Sequence, residues 1–258
     1  MILTDTHSHI YLDDFDKDRN TVVQNALNQG VKYIFLPNID TSSVEDMLRL
    51  SKQYPDRIFP MIGLHPGSVE DDYKTELEKT ISYIDREKFY AIGEIGLDYY
   101  WDTTYKEEQK IVFEKQLDIA VSKELPVVIH VRKAFNDIIE IIKKKKYENL
   151  TGIFHCFSGS LEQANIIIKM GFKLGIGGVV TFKNSKLDKV LADVDLQHIV
   201  LETDSPYLTP EPKRGKRNES TYLRYIAKKI AEIKNISLEE VAKITTKNAE
   251  EIFKINLD

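Results

Sequence analysis

Side chains that bind metal ions recur in this sequence at or near the ends of short apolar runs. Five of the six histidines and three acidic residues occupy such positions, namely His7, His9, His65, Glu94, His130, His155, Glu202 and Asp204. Imidazole nitrogens and carboxylate oxygens are ligands for zinc, manganese and magnesium in proteins. The sequence therefore offers the donor set of a divalent-metal centre, provided that the fold brings these residues together.

The densest part of this set is His7-Ser8-His9. In an extended segment, side chains two residues apart point to the same side, so both imidazoles can bind one ion. The pair alone is a weak signal, because two such histidines also occur by chance. Ligand-type residues at the ends of other strands strengthen it, since buried His, Asp and Glu without partners would be costly.

The elements that must position these residues alternate along the chain. Apolar runs predict eight strands, at residues 2–7, 31–37, 58–64, 90–95, 126–130, 151–156, 173–178 and 198–203. Helical patterns occupy residues 13–29, 41–54, 73–88, 107–124, 134–147, 160–170, 185–193, 218–233 and 237–254. Alternating strands and helices require parallel strands joined by crossovers, and eight such units predict an α/β fold of the (β/α)8 TIM-barrel type.

An open, doubly wound sheet is the alternative, because strand number alone does not establish closure. The Gly175-Ile176-Gly177-Gly178 run suggests a nucleotide loop, but it lacks the third glycine of that motif and follows the seventh strand. No linker divides the chain, so we predict one barrel domain over residues 1–258. The carboxyl ends of barrel strands share one face, where active sites form.

The number of candidate ligands predicts two metal ions. Six candidates exceed the four ligands of a tetrahedral site, and a catalytic site also keeps one position open. Our assignment gives one ion His7, His9 and Asp204, and gives the other ion His130 and His155. Glu94 is predicted to bridge the ions, across about 3.5 to 4 Å. Two such ions would activate a shared water, so hydrolysis of an ester or phosphodiester is the predicted reaction class.

Three neighbours of these ligands have separate interpretations. Glu202 shares its side of the strand with Asp204, so it orients a ligand histidine, helps to move a proton, or forms a buried structural pair. His65 is a spare imidazole, predicted as a general acid or a phosphate contact. Cys156 is predicted to point away from the site and to pack in the core.

Basic and aromatic residues follow several strands on the predicted metal face. The basic residues are Arg132, Lys133, Lys183, Lys213, Arg214, Lys216 and Arg217. Barrels often bind phosphate after strands seven and eight, so an anionic substrate is predicted, with Arg132, Lys183, Arg214 and Arg217 as its contacts. Tyr99, Tyr100 and Trp101 follow Glu94 and are candidates for stacking on an unpaired base, although loop packing is the more frequent role.

Composition limits the class of protein and its location. Lys plus Arg number 36 and Asp plus Glu 41, so the net charge of -5 excludes a globally basic nucleic-acid binder but leaves room for a local basic patch. The single cysteine excludes an internal disulfide. Neither a secretory signal nor a run of roughly 20 apolar residues is present. We expect a cytoplasmic protein, with no membrane association and no obligate protein partner.

The order of these motifs resembles that of the TatD family of metal-dependent hydrolases, within the amidohydrolase-like barrels. The resemblance covers essentially the whole length and rests on Asp5-Thr6-His7-Ser8-His9, Gly63-Leu64-His65-Pro66, Gly93-Glu94-Ile95-Gly96-Leu97-Asp98, Val128-Ile129-His130, His155-Cys156-Phe157-Ser158-Gly159 and Glu202-Thr203-Asp204-Ser205-Pro206. It implies a TIM-type barrel with the same six metal ligands. It also implies deoxyribonuclease activity, often as a Mg-dependent 3′ to 5′ exonuclease that prefers single strands, with roles suggested in DNA repair.

Two segments depart from the family pattern. After His130 the chain has Val131-Arg132-Lys133, where the family usually places a small hydroxyl residue before the arginine and an acid after it. Ser220 stands where proline is usual. Both positions lie in loops on the substrate side, so they bear on substrate preference and leave the metal ligands unchanged.

The leading hypothesis is a two-metal hydrolase that removes nucleotides from DNA, single-stranded or at 3′ ends, with Glu94, Asp204, Glu202 and His65 in catalytic roles. A second hypothesis is hydrolysis of a carboxylic ester or amide, such as D-aminoacyl-tRNA deacylation, which a freed amino acid would distinguish. A third, a non-catalytic metal-binding scaffold, is disfavoured because a structural zinc site is closed by four ligands. The sequence leaves open the metal (Mg, Zn or Mn), the polarity of degradation and the choice between DNA and RNA.

Overall fold

The computed structural model describes residues 1–100 and 102–257, so the proposed stacking role of Trp101 lies outside the described residues. Parallel strands alternate with helices. The strands are β1 (Leu3–Asp5), β2 (Val31–Pro37), β3 (Ile58–Met61), β4 (Ile92–Asp98), β5 (Val127–Arg132), β6 (Gly152–Phe154), β7 (Lys173–Ile176) and β8 (Ile199–Leu201). The helices are α1 (Arg19–Asn28), α2 (Thr41–Gln53), α3 (Tyr73–Ile81), α4 (Lys106–Lys123), α5 (Phe135–Ile142), α6 (Leu161–Lys169), α7 (Leu187–Ala192), α8 (Leu223–Lys234) and α9 (Leu238–Phe253). Within the described ranges, no helix has the length and apolar character to cross a membrane.

The strands close into a barrel. Strands β1 to β3 form one hydrogen-bonded set and β4 to β8 another, each in chain order. The sets join between β3 and β4, where the Gly93 amide donates to the Ile62 carbonyl at 2.8 Å. They join again between β8 and β1, where the Thr6 amide donates to the Leu201 carbonyl at 2.9 Å. Because the last strand meets the first, the barrel prediction is confirmed and the open-sheet alternative is wrong.

The inside of the barrel is apolar at the bottom and polar at the top. Three strands show this change between residues two positions apart, which point to the same side. The pairs are Val128 with His130, Ile153 with His155, and Val200 with Glu202. At the bottom, Phe253 from α9 stacks on Phe35 with 3.7 Å between ring centroids. The closed apolar floor leaves the polar groups at the carboxyl ends of the strands.

Helix boundaries differ from the predicted ones where turns continue an apolar pattern. The predicted helix 13–29 begins at Arg19, because Asp13–Phe15 forms a separate 3-10 turn. The predicted helix 73–88 ends at Ile81, and Tyr83 and Ile84 pack against the core from the turns that follow. Apolar periodicity reports which side chains face the core, and a short turn can maintain it without helical hydrogen bonds.

A buried carboxylate links β1 to the loop after β8. Asp5 is fully buried, and its two oxygens accept the Thr203 amide at 2.9 Å and the Thr203 hydroxyl at 2.6 Å. Burial raises the pKa of Asp5 to about 7, against the lowering by its hydrogen bonds. Because Thr203 precedes Asp204, this contact fixes the position of a candidate metal ligand relative to His7 on the neighbouring strand.

Candidate metal centre

The first ligand group combines side chains from three places in the barrel. His7 and His9 follow β1, Glu94 lies in β4, and Asp204 follows β8. The Nε2 atoms of His7 and His9 are 3.2 Å apart, and Glu94 Oε2 lies 3.1 and 3.7 Å from them. Asp204 Oδ1 lies 3.7 Å from His7 Nε2 and 3.5 Å from His9 Nε2. A tetrahedral zinc site has ligand atoms about 3.3 to 3.6 Å apart, so this spacing suits a four-coordinate cation.

A second group surrounds the other oxygen of the same carboxylate. Glu94 Oε1 lies 2.9 Å from His130 Nδ1, 3.1 Å from His155 Nε2 and 3.5 Å from His65 Nε2. The structure thus brings together all six predicted ligands, with one Glu94 oxygen in each group. Ligand atoms of His7, His155 and Asp204 also lie within 4.8 Å of one another, so the two groups adjoin.

Tyr11 fixes the tautomer of His9. The Tyr11 hydroxyl donates its proton to the Pro37 carbonyl at 2.6 Å. Its oxygen must therefore accept from Nδ1–H of His9, 2.9 Å away, and this leaves a lone pair on Nε2 of His9. The sequence analysis missed Tyr11, although it lies two residues beyond His9 and continues the spacing of the His7 and His9 pair.

Replacement of Tyr11 by phenylalanine is expected to weaken metal binding about 10- to 100-fold. Nδ1–H of His9 would lose its acceptor, and the ring would lose the preference that presents Nε2 to the cation. Competition between the protein and a chromophoric zinc chelator measures the change. Tyr207→Phe is the matched control, because Tyr207 lines the same cleft and its ring lies 6.2 Å from that of His9. Equal affinities for the two variants would contradict the role of Tyr11.

A carboxylate lies behind each of two other histidines, as a hydrogen-bond partner of His130 and as an ion-pair partner of His155. Asp98 Oδ2 lies 2.9 Å from Nε2 of His130, and Glu202 Oε1 lies 3.3 Å from Nδ1 of His155. Burial raises the pKa of Asp98, but the hydrogen bond with His130 and one from the Tyr100 amide outweigh it, so the pKa is lowered. The sequence analysis did not single out Asp98, yet it is four residues after Glu94 on the same strand. In both pairs the ring nitrogen on the other side is left to bind a cation.

The glycine run at the end of β7 makes room for Glu202. A Cβ on Gly175 would lie 2.2 Å from Glu202 Oε2, so no larger residue fits there. A Cβ on Gly178 would lie 2.0 Å from the Leu208 carbonyl oxygen, so packing against Glu202 and Leu208 accounts for these two glycines without a nucleotide loop. Among the described residues, three atoms of the centre are buried and polar without a hydrogen-bond partner: Glu202 Oε2, His7 Nδ1 and His155 Nδ1. Unpaired buried polar atoms of this kind are costly, which marks the centre as a functional site.

Protonation at the centre suits a cation. Burial raises the pKa of Glu94, but the surrounding histidines, His155 above all, outweigh it and hold the pKa well below its ordinary value. Burial lowers the pKa of His7, so its ring is neutral at pH 7. An ionised carboxylate and neutral imidazoles are the forms that bind divalent metals. Burial lowers the pKa of His155 and of His130, but the charges of Glu94 and Glu202 raise the former well above its ordinary value, and hydrogen bonds with Asp98 and Glu94 raise the latter. A cation that binds there would displace these protons.

His65 differs from the other histidines of the centre. Its Nδ1 accepts the Gly67 amide at 2.9 Å, and burial lowers its pKa. The neutral ring therefore carries its proton on Nε2, which faces Glu94 and the cleft. Because Nε2–H has no lone pair to offer, His65 is placed as a hydrogen-bond donor and not as a ligand.

Of the four basic residues predicted to contact substrate, Arg132 lines the cleft among the described residues. Its guanidinium lies 3.8 Å from the ring centroid of Tyr100. Lys183 is exposed and lies outside the cleft lining. Arg214 also lies outside it, with its guanidinium 4.0 Å from the ring centroid of Phe182. Side-chain direction within these long loops decides which cations reach the centre.

The predictions for Arg217 and Cys156 require correction. Arg217 forms two hydrogen bonds with Asp18, at 2.9 and 2.7 Å, and packs over Phe15, so it holds the loop after β8 to the start of α1. Cys156 lines the cleft beside His155, because β6 ends at Phe154 and the backbone of Cys156 has a φ of 49°. The alternation of a strand therefore does not extend to Cys156. Burial raises the pKa of its thiol.

A closed α/β barrel with histidines and carboxylates gathered at the carboxyl ends of its strands is the architecture of a metal-dependent hydrolase. The comparisons agree with this class and narrow it. Residues 4–254 match the family described as TatD related DNase, and the chain belongs to that family.

Relatives match over nearly the full length. YabD of Bacillus subtilis strain 168, described as an uncharacterized metal-dependent hydrolase, is 41% identical over 256 residues, which cover 99% of this chain and 100% of YabD. YcfH of Escherichia coli K12, with the same description, is 32% identical over 99% of this chain and 97% of its own length. The crystal structure of YjjV, a TatD homologue of E. coli K12, superposes with a TM-score of 0.92 and 29% identity, covering 98% of each chain.

Proposed function

We propose that this protein hydrolyses the phosphodiester bonds of single-stranded DNA from the 3′ end, with two divalent cations at the metal centre. The observation that carries the proposal is the position of Glu94, whose two oxygens lie in separate ligand groups. Such a carboxylate suits a pair of ions about 3.5 to 4 Å apart, the arrangement of many phosphodiester-cleaving enzymes. Membership of a family described as TatD related DNase supports the choice of DNA.

The cleft over the centre supports a nucleic-acid strand as substrate. Its volume is about 840 Å³, within the range of about 300 to 1,000 Å³ for ligand sites. Arg132 lines it and provides the planar donor group that binds phosphate oxygens. Tyr207 lines the wall beside His9 and is 51% exposed, so its ring offers a surface on which an unpaired base can stack.

When bound, divalent cations supply a lowered pKa for water and stabilise the charge that builds on a phosphodiester. The protein contributes position and protons. Glu94, Asp204 and the ligand histidines hold the centre, and Arg132 orients the phosphate. His65 donates a hydrogen bond from Nε2–H to the oxygen that leaves, and that oxygen takes its proton from water. Glu202 acts as a positioning residue, because it reaches the centre through His155.

Purified protein is expected to shorten single-stranded DNA stepwise from the 3′ end in the presence of Mg, Mn or Zn. Asp204→Ala should lower the rate at least about 100-fold, which is about 2.7 kcal/mol, because one ligand group loses its second carboxylate. Gel analysis of 3′-labelled and 5′-labelled strands measures both rate and polarity. Asp102→Ala is the matched control, since Asp102 lines the same cleft and bonds to Thr104.

Two outcomes would redirect the proposal. Loss of the 5′ label first would reverse the polarity. Intact DNA with every metal, together with two ions found by metal analysis, would refute the nuclease proposal and leave the metal centre in place. Carboxylic esters and aminoacyl-tRNA would then be the substrates to assay.

A further inference from the structure

A second cleft opens beside the metal centre, between the loops that follow β5 and β6. Its volume is about 460 Å³, and it shares one wall with the cleft over the metal centre. Four residues line both clefts: Val131, His155, Cys156 and Ser158. A flexible chain that reaches the metal ligands can therefore continue over this wall into the second cleft.

The second cleft has an aromatic floor. Phe154 and Phe157 lie at its base, and the half-buried rings of Tyr99 and Phe135 stand at its sides. Aromatic surfaces of this kind accept sugars and bases without sequence preference, because each base has a flat apolar face. The site used for chemistry, by contrast, is lined by histidines and carboxylates.

The rim of the second cleft carries an excess of positive charge. Lys133 is exposed, and its ammonium lies 4.8 Å from the ring centroid of Tyr100. Lys106 also lines the cleft, with its ammonium 4.5 Å from the ring centroid of Tyr99. Cations held against aromatic rings are positioned at low entropic cost and remain available to an anion.

Among the described residues that line this cleft, the single carboxylate is already engaged. Asp137 accepts the Tyr99 hydroxyl at 3.0 Å and lies 3.1 Å from the ammonium of Lys110 and 3.6 Å from that of Lys106. Lys110 lies outside the lining of the cleft and is the nearer of the two cations, so it balances the charge of Asp137 and leaves Lys106 in the longer contact. Lys133 has no carboxylate of this cleft beside it, so the rim attracts anions.

We propose that the second cleft binds the nucleotide next to the scissile phosphodiester, with Lys133 and Lys106 at its phosphate and the aromatic floor under its sugar and base. This inference rests on the function proposed above and adds the path of the strand. The strand crosses the metal centre and continues past His155 between the loops after β5 and β6. Affinity for DNA should therefore grow when the strand is long enough to occupy both clefts.

Charge reversal at Lys133 tests this path. Lys133→Glu should weaken binding of a fluorescein-labelled single-stranded decamer about five- to tenfold in fluorescence anisotropy, with chelator present so that the strand stays intact. The slope of log affinity against log salt should become about 0.7 less steep, the value for one lost phosphate contact on a single strand. Lys133→Gln should also weaken binding and reduce the salt dependence, but by smaller amounts.

Lys143→Glu is the matched control, because Lys143 is an exposed lysine at the opposite end of α5. It should bind the decamer as the wild type does. Hydrolysis kinetics provide a second, independent measurement. Bis(p-nitrophenyl) phosphate is a diester small enough to occupy the cleft over the metal centre without reaching the second cleft. The loss in kcat/KM caused by Lys133→Glu should be about fivefold greater for the decamer than for this diester.

The outcomes separate the two proposals. Equal binding by Lys133→Glu and Lys143→Glu would overturn the second cleft as a subsite, whatever the substrate. Equal losses on the decamer and the small diester would also overturn it, since Lys133 would then act at the metal centre. Wild-type protein that binds the decamer but hydrolyses neither substrate would instead refute the proposed activity and retain the path of the strand.

Discussion

Glu94→Gln is expected to lower kcat on a phosphodiester by about 10³-fold or more, which corresponds to about 4 kcal/mol of transition-state stabilisation. Glu94 Oε2 lies 3.1 Å from His7, and Oε1 lies 2.9 Å from His130 and 3.1 Å from His155. An amide has one oxygen, so its NH2 group must replace a ligand atom in one of the two groups. That group then contains a donor where a cation needs a lone pair.

The number of metal ions bound per chain tests the effect of Glu94→Gln independently of catalytic turnover. Elemental analysis after gel filtration should find at least one ion fewer per chain than in the wild type. Glu70→Gln is the control, because Glu70 is an exposed carboxylate that lines the same cleft. Activity within tenfold of the wild type, or unchanged metal content, would contradict the proposal that Glu94 serves both ligand groups.

Removal of metal is expected to lower the melting temperature of the protein by about 8 to 16 °C per metal site. This figure applies when the free metal concentration before removal is about 1,000 times the dissociation constant of that site. A ligand at that excess stabilises the folded state by about 4.1 kcal/mol, and each kcal/mol shifts the melting temperature of a chain of this size by about 2 to 4 °C. The folded state gains this energy because its donors are already assembled, whereas the unfolded chain separates them by many residues.

Thermal unfolding with EDTA, and with added Mg, Mn or Zn, measures this effect and ranks the metals. Asp204→Ala should show a smaller metal-dependent shift, since one group loses a ligand that lies 3.5 Å from His9 Nε2. The Glu70→Gln control should shift as the wild type does. An identical melting temperature with chelator and with every metal would show that the centre binds no cation under those conditions.

The candidate ligands were accessible to sequence reasoning because a barrel makes their positions regular. His130 and His155 each follow an interior apolar residue by two positions, His130 in the second half of β5 and His155 directly after β6. Parallel strands then place residues that are distant in sequence on one face. The same two-residue spacing, continued by one step from His9 and by two steps from Glu94, leads to Tyr11 and Asp98.

The directions of several loop side chains follow no regular pattern in the sequence. Arg214, Arg217 and Lys183 share a charge and a face, yet the structure directs them to Phe182, to Asp18 and to solvent. Loop backbones follow no period, so the direction of such side chains depends on contacts that form only in the folded chain. The left-handed backbone of Cys156, which turns its side chain to the cleft, is of the same kind.

The sequence by itself determined the alternation of strands and helices, the donor set of the metal centre and the face on which it forms, because hydrophobic periodicity and strand ends are local properties. Only the tertiary structure decided that β8 closes on β1, that Glu94 divides its oxygens between two groups, and that a second cleft with Lys133 at its rim adjoins His155. These depend on distances between loops, which arise when the barrel closes and each loop packs against its neighbours.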